Sequence, residues 1–245
     1  MNDPDFDLLI WNNLHADIYL GLHSNAMHLY IESIVDPSLN AIESRHDELA
    51  SSEDPVAAFL MHDIEELLTS AIEAFALSIQ SMWERQFRAF LKGCATELRL
   101  ADAYVAQLER DQWPQLVERF AEMRGLALSA FDSFSTLEVL QLVGNVCRHG
   151  DGQSAKKLFE RRPDLWSQWP PALPAGWPGP SLVVPSYPPF SHFSMRRAVL
   201  TELAQAVGWF WDDHNYIYTN SILRRDRNVD SSLEEMRARR AHRRR

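Results

Sequence analysis

Asn145, Arg148, His149 and Asp151 stand close together at the end of an apolar stretch, in LVGNVCRHGDG at positions 142–152. If this stretch is helical, Asn145 and His149 share a face because they are four residues apart, and Arg148 lies on an adjacent line. An imidazole titrates near neutral pH and can move a proton, a guanidinium can bind a phosphate group, and an amide can orient either one. Asp151 could fix the tautomer of the imidazole. These side chains are therefore suited to acid–base chemistry at a helix end.

A purely structural interpretation of the same residues stays open. The C-terminus of a helix carries partial negative charge and stabilises a nearby cation by about 0.3 to 1 kcal/mol. Gly150 fits the left-handed residue that commonly follows the last helical turn. The segment is therefore also typical of an ordinary helix end.

Other reactive or metal-binding patterns are weak. The sequence contains no Gly-rich phosphate loop, nucleophile elbow or zinc-knuckle spacing. Cys94 and Cys147 are predicted to be reduced and partly buried. The histidines are expected to be ordinary polar residues, so we predict neither a metal site nor a cofactor. Asp212, Asp213 and His214 follow an apolar run, and they could form an aspartate–histidine site or only mark the point where a helix reaches water.

Apolar residues recur at helical spacing over most of the chain. This periodicity predicts helices at about 7–34, 39–49, 55–93, 102–130, 135–150 and 194–218. The third helix is roughly 35 residues long, which corresponds to about 50 Å. Asp36 and Pro37 are expected to interrupt the first helical region, and Gly93 is expected to end the long helix.

A proline-rich segment separates the last two predicted helices. Between Pro163 and Pro189 the sequence holds nine of its thirteen prolines, interleaved with tryptophans, and such a segment cannot be helical. We expect an extended strap at 166–191 that buries its tryptophans, or else a proline-rich ligand for another protein. The sequence therefore predicts an all-α fold. It comprises an elongated bundle of long antiparallel helices (1–165), the strap, a closing helix of the same domain (192–223) and an Arg-rich tail (224–245).

Charge is distributed unevenly along the chain. The net charge is −10, yet residues 224–245 hold nine arginines against four acidic residues, which leaves −15 for residues 1–223. Clustered arginines produce a local positive field that suits RNA or an acidic surface, including that of the chain itself. A solvated, partly disordered terminus is the alternative. The candidate nucleic-acid contacts are Arg224, Arg225, Arg237, Arg239, Arg240 and Arg243.

The segment LEVLQLVGNVCRHGDGQSAKKLFERRPDLW resembles the last core helix of HEPN-type all-α proteins, and MWERQFRAFL fits the long helix that precedes it. The family signature is an arginine, a polar residue, a short gap and a histidine, and Asn145 and His149 match its last two positions. Gly144 stands where the family places its arginine, and Arg148 could supply a guanidinium from another angle. The resemblance implies a metal-independent ribonuclease that works as a homodimer, or a relative that only binds or dimerises.

Two kinds of function follow as expectations. The first is an endoribonuclease that acts as a toxin or antiviral defence effector: His149 moves the proton, Arg148 stabilises the phosphorane and Asn145 positions the imidazole. The alternative is a non-catalytic module for dimerisation or for binding a protein partner. The sequence lacks a run of about 20 apolar residues and begins with an acidic segment unlike a signal peptide. We therefore expect a cytoplasmic protein without a membrane partner.

Overall fold

The computed structural model describes residues 6–170 and 185–243 as a succession of helices. These residues contain no strand, so the predicted all-α class is confirmed. None of the helices in the described ranges has both the length and the apolar character needed to cross a bilayer. The α-helices are α1 (Leu20–Tyr30), α2 (Asp36–Ala50), α3 (Ala57–Glu97), α4 (Asp102–Gln107), α5 (Trp113–Arg124), α6 (Phe134–His149), α7 (Gln153–Arg161), α8 (Arg197–Asn220) and α9 (Arg227–Arg243).

The chain divides into two compact units. The first unit comprises Met1–Ile31, Met82–Leu137 and Ala204–Arg245, and the second unit comprises Glu32–Ser81 and Glu138–Leu203. The helices α3, α6 and α8 each contribute residues to both units.

The N-terminal arm, residues 6–14, is not helical beyond a turn at 6–8. The side chain of Asn220 donates to the backbone oxygens of Phe6, Asp7 and Leu9 at 3.5, 3.1 and 3.4 Å. The hydroxyl of Ser221 accepts the N–H of Trp11 at 2.7 Å. Side chains of Asn220 and Ser221 thus pair part of the backbone of the arm, which a helix would otherwise pair internally. The helix predicted from Asp7 begins only at a 3₁₀ turn, His15–Tyr19.

Pro37 does not interrupt the helical path, contrary to the sequence-based expectation. A π-helical turn, Ile31–Val35, joins α1 to α2, and Pro37 lies in the first turn of α2. A proline in the first turn lacks only an N–H that would be unpaired in any case. The widened turn therefore lets the chain continue as a helix.

The long helix α3 has 41 residues and confirms the predicted long helix, but it does not end at Gly93. A Cβ atom at Gly93 would lie 2.9 Å from the Cβ of Ala16, so the glycine permits a close approach within the first unit. The helix ends instead at Glu97, and Arg99 then takes a left-handed φ of 55°. Glu97 accepts the N–H groups of His15 and Ala16 at 2.5 and 2.8 Å.

Each unit buries its own apolar core. Fully burying one Leu or Phe side chain contributes about 1.5–3 kcal/mol, so each cluster is a substantial source of stability. In the first unit the core is aromatic and includes Trp83, Phe87, Phe120, Phe131, Phe210 and Trp211. In the second unit it includes Leu39, Leu140, Val143, Val146, Leu158, Leu165, Trp166 and Phe193.

The predicted strap is described only at its two ends, because residues 171–184, with Trp177, lie outside the described residues. Trp166 is buried and its indole N–H donates to the backbone oxygen of Pro189 at 3.2 Å. Trp169 is half-buried, with its ring centroid 5.1 Å from that of His192. The described ends of the strap therefore pack within the second unit.

Candidate functional site

The last turn of α6 carries the polar residues that the sequence singled out. The helix ends at His149, and Gly150 follows with φ +67° while its N–H donates to the backbone oxygen of Val146 at 2.8 Å. This left-handed glycine is the helix end expected from the sequence. Arg148 and His149 are both exposed there.

Arg148 begins a chain of side-chain hydrogen bonds in the second unit. Its Nη2 donates to Oε1 of Gln80 on α3 at 3.0 Å. Nε2 of Gln80 in turn donates to Oε1 of Gln141 on α6 at 3.0 Å. Both glutamines are buried, and these hydrogen bonds satisfy the side-chain amide of Gln80 and Oε1 of Gln141, which would otherwise be costly to bury. Nε2 of Gln141 has no hydrogen-bond partner among the described residues. Arg148 thus has a structural partner.

Gly144 lies against the same glutamine. A Cβ atom built at Gly144 would stand 2.6 Å from Cγ of Gln80 and 3.1 Å from its Cβ. A carbon–carbon contact under 3 Å is too short, so the side chain of Gln80 or the backbone would have to move. The Cβ of Gln80 is attached directly to the backbone and cannot move away as the end of a long side chain could. The position at which the HEPN signature has its arginine therefore has no room for a long side chain as this core is packed.

The other residues of the predicted site do not form a hydrogen-bonded group. Oδ1 of Asp151 accepts the backbone N–H of Phe190 at 2.7 Å. No hydrogen bond joins Asp151 to His149 in the part of the chain that the structure describes. Asn145 is half-buried and its side chain makes no hydrogen bond to any described residue. The predicted roles of His149, Asn145 and Asp151 stay predictions.

The thiol beside this site is not a nucleophile at neutral pH. Burial raises the pKa of Cys147 to about 12, and the nearby carboxylate of Glu73 acts in the same direction. Burial also raises the pKa of Glu73. A thiol attacks as the thiolate, so a pKa of this size leaves Cys147 protonated and unreactive.

Residues 227–243 of the Arg-rich tail form the helix α9. Nε of Arg237 lies 3.3 Å from Oδ1 of Asp7, and Nε of Arg240 lies 3.4 Å from Oδ1 of Asp213. Arg243 also donates to Asp213. The tail thus contacts the chain's own acidic residues.

The remaining arginines of the predicted RNA contact make weaker contacts. Arg225 lies 3.8 Å from Asp230. Arg224 and Arg239 are exposed and have no ion pair with a described residue. Four of the six candidate residues, Arg225, Arg237, Arg240 and Arg243, therefore lie within ion-pair distance of carboxylates of the first unit.

A buried charged cluster in the first unit was not predicted from the sequence. Nη2 of Arg124 lies 3.1 Å from each carboxylate oxygen of Asp17, and both side chains are almost fully buried. The guanidinium also lies over the indole of Trp11, 4.2 Å from its ring centroid. Burial raises the pKa of Asp17 more than Arg124 lowers it. Because 107 residues separate Asp17 from Arg124, no local pattern indicates this pair.

His214 lies in the aromatic core beside this pair, so the interpretation that it marks a helix reaching water is wrong. Its side chain is completely buried, and neither ring nitrogen has a hydrogen-bond partner among the described residues. Burial, followed by the charge of Arg124, lowers the pKa of His214 well below its usual value. The sequence signal was present, because Tyr216 and Ile217 continue the apolar stripe of α8 after His214 and are buried.

No group of three or more His, Cys, Asp or Glu side chains suited to a metal ion occurs among the described residues. No family model, no curated protein and no solved structure matches the chain. The HEPN resemblance therefore stays a prediction that rests on the motif alone.

Proposed function

We propose that the protein is a non-catalytic helical module that associates with a second copy of itself. The surface that supports this proposal is the apolar face, which we define as Ile18, Leu22 and Leu29. These side chains are 54, 63 and 52% exposed. Leu22 and Leu29 are seven residues apart and so lie along one side of α1, and Ile18 stands four residues before Leu22 in the 3₁₀ turn that leads into α1.

Charge argues for a second copy as the partner. The sequence contains no Asp, Glu, Lys or Arg from Ile18 to Ile31. With a net charge of −10, two copies repel each other, and that repulsion is least costly where an uncharged surface forms the contact. Exposed apolar side chains also gain most from leaving water.

The polar residues of α6 support a non-catalytic role. Arg148 is hydrogen-bonded to Gln80, and Gly144 packs on the same side chain. Asp151 binds the backbone of Phe190. Each of these groups has a contact that stabilises the second unit, and among the described residues none of them is hydrogen-bonded to the side chain of His149.

Sedimentation velocity over a wide range of protein concentration tests this proposal. We expect the wild-type protein to form a dimer and Leu22→Lys to shift the equilibrium to monomer at least tenfold, because a charge would enter an apolar contact. Leu223→Lys is the matched control, since Leu223 is 92% exposed but lies outside the apolar face. A wild-type protein that stays monomeric throughout, or equal effects of both changes, would contradict the proposal.

The second candidate function is a metal-independent ribonuclease. One observation favours it: Arg148 and His149 both reach solvent at the same helix end. Purified protein would be incubated with total RNA or tRNA in EDTA beside His149→Ala. Cleavage by the wild type and not by the variant would replace the non-catalytic proposal, whereas no cleavage by either would remove the ribonuclease.

A further inference from the structure

The C-terminal helix α9 is held to the first unit largely by charge. Of its residues only Leu233 is buried, so it contributes little apolar surface. Its contacts with the rest of the unit include the ion pairs of Arg237 with Asp7 and of Arg240 and Arg243 with Asp213. Removing these arginine charges should therefore weaken the docking of α9 more than removing an apolar contact would.

Part of the surface beneath α9 belongs to the N-terminal arm. The guanidinium of Arg240 lies 4.0 Å from the ring centroid of Phe6, and Arg237 pairs with Asp7. The hydroxyl of Tyr216 on α8 also donates to Asp7. The arm is thus held from two sides, by α8 and by α9.

The arm in turn covers the buried imidazole. The ring centroid of Trp11 lies 4.7 Å from that of His214, and Trp11 is 8% exposed. Since the arm is not helical beyond the turn at 6–8, contacts with other elements determine its position. Residues of the arm can therefore move without the loss of a helix.

His214 and Arg124 carry polar atoms that have no partner in this closed arrangement. Both nitrogens of His214 and Nε of Arg124 are buried without a hydrogen bond to any described residue. An unsatisfied buried donor or acceptor costs about 1–3 kcal/mol. Opening of the arm would give these atoms access to water, and their hydration would offset part of the free energy needed to undock the arm.

We propose that α9 is a releasable latch. While it is docked, its arginines hold the N-terminal arm over His214; when it leaves, the arm opens and exposes the imidazole and its neighbour Arg124 to solvent. This inference concerns residues other than the apolar face and is independent of the proposed self-association.

Hydrogen exchange measured by mass spectrometry tests the latch in the full chain. In the double variant Arg240→Gln, Arg243→Gln we expect the amides of α9 and of residues 6–14 to exchange at least tenfold faster, while those of α5 stay protected. We also expect diethyl pyrocarbonate to modify His214 in the variant and not in the wild type. Arg239→Gln is the matched control, since Arg239 lies on the same helix, is exposed and has no ion pair with a described residue.

The double variant could lose stability only because Asp213 stays buried without its arginine partners. A second variant that lacks residues 227–245 avoids this problem, because removal of the whole helix would expose Asp213 to water. The latch predicts fast exchange in the arm of this variant too. Two results would overturn it: an arm and His214 that stay as protected as in the wild type, or faster exchange in the arm and α5 alike. The second would mean that α9 supports the whole unit and does not act on the arm.

Discussion

His214 lies among aromatic rings of the first unit, where it has no hydrogen-bond partner among the described residues. Its pKa is well below the usual 6.5, so the unfolded chain takes up a proton near pH 6.5 while the folded chain does so only at much lower pH. The surrounding rings are those of Trp11, Phe90, Phe120, Phe131, Phe210 and Trp211.

This imbalance predicts a loss of stability in acid. As pH falls from 6.5 toward the folded pKa, the free energy of unfolding should decrease by up to about 1.4 kcal/mol per pH unit. Asp17 and Asp213 have the opposite effect on stability, because burial raises their pKa values above 3.8. Between pH 3.8 and these raised pKa values the folded state binds more protons than the unfolded state, so acid stabilises the fold there. We expect His214→Phe to remove the imidazole contribution, measured by urea unfolding at several pH values. A slope equal to that of the wild type would show that His214 does not titrate in this way.

Gly144 gives a second prediction at the scale of one residue. Gly144→Ala should lower the free energy of unfolding by about 1–3 kcal/mol through its contact with Gln80, although alanine is the better helix former by about 1 kcal/mol. In a Gln80→Ala background, which removes the Cγ at 2.6 Å but keeps the Cβ at 3.1 Å, the same change should cost less, and a double-mutant cycle by urea unfolding would measure the difference. Equal costs in both backgrounds would mean that the contact is not the cause.

Single residues also show what the sequence could predict of the candidate site. The sequence predicted the end of α6, because a glycine in the left-handed conformation after the last turn depends only on neighbouring residues. The Gln80 partner of Arg148 is 68 residues away, and nothing in the spacing of LVGNVCRHGDG reveals it. The motif therefore could not predict which side chains of distant helices form hydrogen bonds with its residues.

At the scale of elements, the long helices were predictable and the chain ends were not. Apolar periodicity predicted α3, α6 and α8, because each buries a stripe of apolar residues, which in α3 runs from Ile72 onward. The arm and α9 lack such a stripe. Their conformation depends on Asn220 for the arm and on Asp7 and Asp213 for α9, residues that are far away in the sequence.

Arg197 on α8 is hydrogen-bonded to α2 in the second unit, and we expect it to stabilise α2. From the start of α8 it donates to Asp36, Asn40 and Glu43 at 2.5, 2.6 and 2.7 Å. We expect Arg197→Leu to speed hydrogen exchange in α2 several-fold, since it removes three charge-assisted hydrogen bonds at a partly exposed site.

Arg196→Leu is the control for this change, because Arg196 is the exposed neighbour and its side chain makes no hydrogen bond to a described residue. Mass spectrometry of α2 peptides would report both variants. Unchanged exchange in Arg197→Leu would mean that apolar packing alone holds α2.

For the whole molecule, net charge should control association. Two copies with a charge of −10 repel each other, and salt screens that repulsion over a Debye length of about 8 Å at physiological ionic strength. We therefore expect the dimer Kd to fall as NaCl is raised, because the apolar face itself carries no ion pair to be screened. Sedimentation at several salt concentrations measures this, and a Kd that rises with salt would indicate a contact made by charged groups.

The contact of Phe6 with Arg240 has a practical consequence for protein engineering. Since Phe6 of the arm and Arg240 of α9 are in contact, a short peptide could join the arm to α9 in a continuous backbone. New termini could then be opened in the exposed loop at 51–54, between α2 and α3. Such a circular permutant would turn the latch helix into an internal segment that is tethered at both ends.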